Sequence, residues 1–231
     1  MVDANRIVVD DPVPGRHLPP RIVQLWERQC PSFRKTEMGD ATMIYRQGDG
    51  CSQVCYLASG HVKLRAITKD GRGFIRSILR DGDFLGAISG QAGQRMLDSA
   101  ISKGPIRLYR CKVGEFAALM ETQPEIARHL LATLNRRLAS AQRQTEMILY
   151  RPTAMRVALL LREFVGVHGG RCRHGHEIDF RLTQQELADL VGASRPVVST
   201  ILNDLRQRRI VTYTRTFICI ENMAALERLL E

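Results

Sequence analysis

The stretch from Pro124 to Tyr150 contains no glycine, and this feature most narrows what the chain can become. Its apolar positions Ile126, Leu130, Leu134, Leu138, Ala141, Thr145 and Ile148 recur at intervals of four and three, the spacing that lines one side of an α-helix. Pro124 suits the first turn, where its missing N–H would be unpaired anyway. Arg151-Pro152 ends the helix, because the residue before a proline avoids the helical region. The pattern predicts a helix about seven turns long, with Arg128, Arg136, Arg137 and Arg143 off the stripe. A helix of that length outside a bundle buries its stripe against a copy of itself. Ile126, Leu130, Leu134, Leu138 and Ala141 are therefore assigned to dimerisation, and a homodimer is expected. Packing of the stripe on the chain's own β-domain is the alternative.

Ahead of this helix, residues 33–110 break into short apolar runs divided by Gly and Asp: ATMIYRQGDG, VCYLASG, HVKLRAITKDGRG, FIRSILRDGDFLG, LDSAISKG and IRLYRC. Short strands with turn signals at such spacing read as an all-β barrel or sandwich. Asp70-Gly71 is a strong hairpin turn. The pairs Gly39-Asp40, Gly48-Asp49 and Gly82-Asp83 punctuate the other strands. The first twenty residues carry three Asp and four Pro where a secretory leader would need a basic end and an apolar run, so they are expected to form a flexible arm. No run approaches the ~18 apolar residues of a membrane span, and a cytoplasmic location is expected.

Beyond Pro152, a helix over 153–165 presents Val157, Leu160, Leu161 and Phe164 on one face. HGGRCRHGHE follows as a hairpin tip leading into a strand, IDFRL. The most specific text is LTQQELADLVGASRPVVSTILNDLRQRR. Thr183 and Glu186 have the spacing of a capping box. The helix they start buries Leu187 and Leu190 and stops at Gly192. Ser194 then caps a second helix whose apolar face is Val197, Val198, Ile201, Leu202 and Leu205. Two helices joined by a tight glycine turn predict a helix-turn-helix whose second helix enters the DNA major groove. Ser194, Arg195, Ser199 and Thr200 would face base edges, since an arginine fork suits guanine O6 and N7. Thr183, Gln184 and Gln185 would meet phosphate at a helix start. IVTYTRTFICIEN reads as a two-stranded wing about Thr214-Arg215, with Arg215 at the DNA. The expected domains are a flexible arm (1–20), a β-domain (21–114), helices including the dimerisation helix (115–150) and a DNA-binding domain (151–231).

The net charge of +10 favours a polyanionic partner, but its distribution does not single out the C-terminal part. Residues 1–149 carry 22 Lys and Arg against 15 Asp and Glu, and residues 150–231 carry 12 against 9. The six cysteines lack zinc-finger or thioredoxin spacing and are read as free thiols. Cys51 and Cys55 are read as structural thiols, with a redox pair or soft-metal site as the alternative. Cys172, His174 and His176 are read as an exposed turn, with a metal site or a face toward RNA polymerase as alternatives. A jelly-roll metal enzyme would need several His ligands from the β-domain, which offers only His61 within 33–110.

On GDATMIYRQGD, VCYLASGHVKL, TKDG and LRDGDFLG, the long helix and LTQQELADLVGASRPVVSTILNDL, the chain resembles the Crp/Fnr superfamily of the cyclic-AMP receptor protein and the fumarate-nitrate reductase regulator. The resemblance runs from about residue 33 to 231. It implies an α+β fold: an N-terminal β-roll, jelly-roll and cyclic-nucleotide-binding-like, then a long dimerisation helix and a C-terminal winged helix-turn-helix. It also implies a homodimer on palindromic double-stranded promoter DNA, RNA polymerase as a partner and, where the regulator activates, transcription activation.

The departures from the family pattern bear on the ligand. Ala87 stands where cyclic-nucleotide binders have a Glu for ribose. Asp98-Ser99 stands where they have Arg-Ser for phosphate, and Ala141-Gln142 where they offer Thr-Ser to adenine. A carboxylate against a phosphate is unfavourable, so an effector other than cyclic AMP is expected. Ser89, Arg95, Asp98, Ser99 and Gln142 are the candidate effector pocket, with Arg95 as the substitute cation. Only Cys30 precedes the β-roll, so no four-cysteine iron–sulfur cluster is expected, and His61 and Cys111 do not decide for haem. No cofactor is assigned. Ser194-Arg195-Pro196-Val197-Val198-Ser199-Thr200 also lacks the Glu and second Arg common in the family's recognition helix.

Overall fold

The structure, a computed structural model, describes residues 17–88, 95–172, 175–178, 180–214 and 217–230, with the Arg171 side chain excluded. These residues fall into two compact units that divide inside the long helix, between Arg143 and Gln144.

The first unit opens with a helix, α1 (Pro20–Gln29), inside the segment read as the beginning of the β-domain. Leu18, Ile22, Trp26 and Cys30, spaced by four, are all buried, so this short helix plugs one end of the β-roll. The strands are β1 (Arg34–Met38), β2 (Met43–Tyr45), β3 (Gln53–Ile67), β4 (Gly73–Arg80), β5 (Phe84–Gly86) and β6 (Ser99–Lys112). All pairings are antiparallel. β3 and β6 form the spine: β6 pairs β1 near one end and β2 near the other, while β3 pairs β5 and then β4. The sequence runs that seemed to break at Gly60 and Gly104 are therefore single long strands. Near Gly60 the ladder shifts register and bends, rather than turning back. Asp70-Gly71 does form the hairpin joining β3 to β4, closed by Thr68 N–H to the Arg72 carbonyl at 2.8 Å. Asp49 and Asp83 tie their turns by accepting from Arg46 N–H and Arg80 N–H at 2.8 and 2.9 Å.

Helix α2 (Val113–Thr122) follows β6, and α3 (Pro124–Tyr150) is the long helix, 27 residues with the expected bounds. Its stripe divides. Ile126 and Leu130 are buried in the β-roll core with Trp26, Phe84 and Phe116, and Leu134 is partly buried against the same cluster. Ile126 and Leu130 thus serve the chain's own core, the alternative to a dimer seam given for the stripe, while Leu134 is only partly covered there. Their side chains point at the roll because α3 is latched to the β4–β5 turn: His129 Nε2 donates to the Gly82 carbonyl (2.9 Å), Arg136 pairs with the buried Asp83 (2.6 Å), and Arg137 donates to the Phe84 carbonyl (3.1 Å). Leu138 and Ala141 are exposed, and so is Leu131, seven positions before Leu138.

The second unit contains the end of α3, then α4 (Thr153–His168), β7 (Gly169–Cys172), β8 (Gly175–Ile178), α5 (Gln184–Val191), α6 (Arg195–Gln207), β9 (Val211–Tyr213), β10 (Ile218–Ile220) and α7 (Met223–Glu227). Its four strands lie in the order β7-β8-β10-β9. The HGGRCRHGHE segment supplies both β7 and β8, so the expected strand IDFRL begins and ends earlier than read. Phe180 and Leu182 are instead buried outside any strand, Phe180 edge-on to Phe164 and His168. No described helix is long and apolar enough to cross a membrane.

Candidate nucleic-acid interface

The local chemistry of α5 and α6 fixes their geometry. Thr183 is the N-cap of α5: its hydroxyl accepts from Glu186 N–H at 3.2 Å, and the Glu186 carboxylate accepts from Thr183 N–H at 3.0 Å, satisfying two otherwise orphaned donors. At the other end Gly192 takes the left-handed conformation (φ 64°, ψ 46°), and Ala193 N–H bonds back to the Ala188 carbonyl. The last carbonyls of α5 are satisfied from outside it: Gln144 Nε2 donates to Leu190 O (2.9 Å) and Arg156 Nη1 to Val191 O (2.8 Å). Neither partner could be foreseen, since nothing local marks Gln144 or Arg156.

The conformation of Gly192, not crowding, makes glycine necessary there, because an added Cβ would meet only side-chain atoms at 3.6 Å or more. Gly192→Ala is therefore expected to lower stability by about 1–2 kcal/mol, read as a shift in the denaturation midpoint. An unchanged midpoint would mean the turn tolerates a side chain.

Helix α6 buries Val198, Leu202 and Leu205 and exposes its start. Ser194, Arg195 and Thr200 are exposed and Ser199 partly so, which brings four of the sequence-assigned residues onto one short surface. Two details differ from expectation. Ser194 sits at the N-cap, but its side chain makes no capping bond, because Pro196 in the first turn removes one of the amides a serine would take. Val197, assigned to the apolar face, is instead 45% exposed beside Arg195. Thr200 is exposed, and its Oγ1 donates to the Pro196 carbonyl one turn back (3.1 Å).

At the start of α5 the Thr183 hydroxyl is occupied by Glu186, accepting from its N–H and donating to its carboxylate. Gln185, also expected at phosphate, donates its amide to Asp189 (2.8 Å), and Gln184 is partly exposed beside it. The wing is braced against α6: Tyr213 O–H donates to Asn203 Oδ1 (2.8 Å), Arg206 donates to the same oxygen (3.0 Å), and the Arg206 guanidinium lies 5.1 Å from the Tyr213 ring centre. Arg215 lies outside the described residues.

Comparison with known proteins agrees with this geometry. Residues 36–123 match the model of the cyclic nucleotide-binding domain, and residues 155–229 match the Crp-like helix-turn-helix domain. The global nitrogen regulator of Synechocystis is 25% identical over 93% of this chain and 91% of its own length. The cAMP-activated global transcriptional regulator CRP of Pasteurella multocida is 28% identical over 74% of this chain and 82% of its own. The chain belongs to the Crp/Fnr superfamily. It is a DNA-binding transcriptional regulator of that family, not an enzyme. Among solved structures, CooA from Carboxydothermus hydrogenoformans superposes with a TM-score of 0.73 at 16% identity, covering 90% of each chain. The c-di-GMP responsive regulator CLP of Xanthomonas campestris also gives 0.73, at 19% identity over 87% of this chain and 99% of that one. At these identities the structures speak for the fold alone.

Of the five residues read as an effector pocket, the four described ones, Arg95, Asp98, Ser99 and Gln142, bond to separate groups or stand exposed. Ser89 lies outside the described residues. Arg95 is exposed and donates through Nη1 to the Gly48 carbonyl (2.9 Å). Asp98 is buried, accepts from the Tyr45 phenol (3.3 Å) and lies 3.7 Å from Arg76 Nε. Burial, with the Asp98 charge beside it, pushes the Tyr45 phenol well above its ordinary value. Ser99 accepts from Gln47 N–H (2.9 Å) and lines a shallow cavity of about 310 Å³ with Met43, Arg46, Arg65 and Ile67. Gln142 is exposed on α3. Asp98 lies in the bend just before β6 and Ser99 is its first residue, and the two side chains bond to different groups, Tyr45 and Gln47 N–H. Ala87 is buried and brings no carboxylate. The alternative thiol site at Cys51 and Cys55 is not assembled either: Cys51 lies 3.4 Å from Met96 Sδ, while Cys55 packs in a separate apolar cluster with Leu57 and Leu85. His174 lies outside the described residues, and no cluster of three metal-ligating side chains occurs among the described ones.

Arg195 makes no hydrogen bond or ion pair within the described residues and stands at the exposed start of α6. Arg195→Ala is expected to weaken binding to the preferred site by about 1–3 kcal/mol and to relax preference at one base pair. Quantitative binding to a library of single-base operator variants reads both; unchanged affinity and preference would remove Arg195 from base recognition.

Proposed function

We propose that this regulator works as a homodimer, reading a palindromic promoter site through paired α6 helices, with a β-roll that answers an effector other than cyclic AMP. The observation that carries the reading is the exposed start of α6. Arg195, Val197 and Thr200 stand clear of the fold on a helix whose neighbours are fixed by the capping box, the Gly192 turn and the wing brace. Dimerisation draws support from the exposed apolar side chains Leu131, Leu138 and Leu149 along α3. Paired recognition helices would then sit about one DNA turn apart.

The effector reading rests on Asp98. Within the cassette where cyclic-nucleotide binders place a cation for phosphate, this chain holds a buried carboxylate already in partnership with Tyr45 and Arg76. An anionic phosphate there would meet like charge in a poorly solvated site. RNA polymerase as a partner and a cytoplasmic location belong to the same proposal.

Selection of genomic fragments by the purified, effector-free protein at near-physiological salt, repeated with cyclic AMP, tests it. A two-fold symmetric motif that cyclic AMP leaves unchanged is the expected result. Enrichment only when cyclic AMP is added would overturn the effector reading, and recovery of a single unpaired half-site would overturn the dimer.

A further inference from the structure

The C-terminal unit holds a thiol pair that DNA recognition does not use. Cys172 ends β7 and Cys219 lies in the middle of β10, 47 residues along the chain, yet their sulfurs are 2.9 Å apart. The sheet produces this meeting. β8 lies between the two strands, and Gly170, Glu177 and Cys219 share one row across them. Cys172 stands opposite Gly175 at the end of the hairpin. Gly175 has φ 141°, and a Cβ there would collide with the Ile220 carbonyl. Gly175 therefore lies tight against Ile220 of β10, next to Cys219, and Cys172 pairs with Gly175 across the hairpin.

The other four cysteines have a different setting. Cys30, Cys51, Cys55 and Cys111 are all buried in the β-roll. Burial pushes the Cys55 thiol up to about 11 and the Cys111 thiol up to about 12, which marks them as structural, unreactive sulfurs. Of the six, Cys172 alone is partly exposed.

We propose that Cys172 and Cys219 are an oxidant-sensitive dithiol that a hydroperoxide closes to an intrachain disulfide. In the first step the Cys172 sulfur attacks the peroxide; the O–O bond breaks, and Cys172 becomes a sulfenic acid while the hydroperoxide leaves as an alcohol, or as water when it is hydrogen peroxide. In the second step the Cys219 sulfur attacks the sulfenic sulfur; the S–S bond forms, the S–O bond breaks, and the hydroxyl departs as water with the Cys219 proton. Two electrons and two protons pass from the thiols to the peroxide. The roles follow from exposure and from the setting of Cys219. Burial, then the neighbouring Cys172, pushes the Cys219 thiol up to about 12, so it is protonated at neutral pH and serves as the resolving partner, not the first to react. The sulfurs need to close by less than 1 Å from 2.9 Å to reach bonding distance. The ring so formed contains α5, α6 and β9, so the bond ties the whole helix-turn-helix into one covalent loop.

The test uses the full-length protein, reduced and then exposed to a small excess of hydrogen peroxide. Thiol titration after denaturation should fall from six to four, and unreduced peptide mapping should find the Cys172 and Cys219 peptides joined. Dithiothreitol should restore six. The oxidised form should melt at least ~5 °C higher in its C-terminal unit, because the closed loop restricts the unfolded chain. Cys172→Ser, a conservative change at a partly exposed position, should abolish the joined peptide and slow peroxide consumption at least ~10-fold relative to wild type. A bridge between chains, a bridge among the β-roll cysteines, or Cys172 carried to sulfinic acid while Cys219 stays a thiol would each overturn the proposal. None of these readouts depends on DNA binding.

Discussion

Replacing Leu138 by glutamate is expected to give a folded monomer that has lost on the order of 10²–10⁴-fold of its affinity for a two-half-site operator. Leu131, Leu138 and Leu149 are 63%, 57% and 66% exposed, and intervals of seven and eleven residues keep them close to one line along α3. Such a line is the apolar seam that a second α3 would cover, and a carboxylate at its centre would be buried without a partner in any dimer. The monomer still carries an intact α6, so it keeps single half-site contacts and loses only the linked second binding event. Sedimentation equilibrium and operator titration read the two effects separately, while circular dichroism should stay unchanged because Leu138 fills no core. The contrasting variant is Leu130→Ala, eight positions earlier on the same helix. Leu130 is only 6% exposed and packs in the β-roll, so its truncation should cost about 2–5 kcal/mol of fold stability and leave the association state alone. If Leu138→Glu remained dimeric, the exposed line would not be the seam.

That contrast shows where the sequence was informative. The existence, bounds and period of α3 could be read from spacing, because a helix is specified by its neighbours three and four residues away. Which part of the stripe serves the chain's own core depends on β-strands dozens of residues distant, so Ile126 and Leu138 looked equivalent until the roll was in place. The same rule separates the two sites. Thr183, Glu186 and Gly192 write the helix-turn-helix locally, and the capping box formed as spaced. Val197 was misplaced because it stands next to truly buried Val198, and one residue on a helix is a rotation of about 100°. The effector residues were inferred by likeness to a cassette, but Arg95 and Asp98 find partners on the turn at Gly48 and on β2 and β4, which no local pattern announces. Gly60 and Gly104 could equally mark a turn or a bend within a strand, and the ladder between β3 and β6 decides for the bend. The meeting of Cys172 with Cys219 follows from strand order and was beyond spacing altogether.

The largest stability loss is expected at Trp26, in α1, a helix that the sequence-based expectations do not include. Pro19-Pro20 suggested a loose arm, yet proline in the first turn is also how a helix begins, and the four-residue spacing of Leu18, Ile22, Trp26 and Cys30 carries an apolar face. The Trp26 side chain is fully buried, with ring centres of Phe116, Phe33, Tyr56 and Phe84 at 5.4 to 6.3 Å. Its indole N–H donates to Cys111 Sγ at 3.1 Å, so its polar atom is satisfied inside the core. Trp26→Ala should therefore lower stability by about 3–5 kcal/mol, since neighbouring rings held by separate strands and helices cannot collapse into the space. Trp26→Phe keeps most of the volume and loses the N–H, and should cost less than half as much. Denaturant unfolding of both variants measures the pair. Because Trp26 is the only tryptophan in the chain, the wild-type reference can be followed by its own fluorescence and the variants by circular dichroism. A small loss for Trp26→Ala would mean that α1 lies on the β-roll as a cover and not as part of its core, and that the unit folds from β1 onward without it.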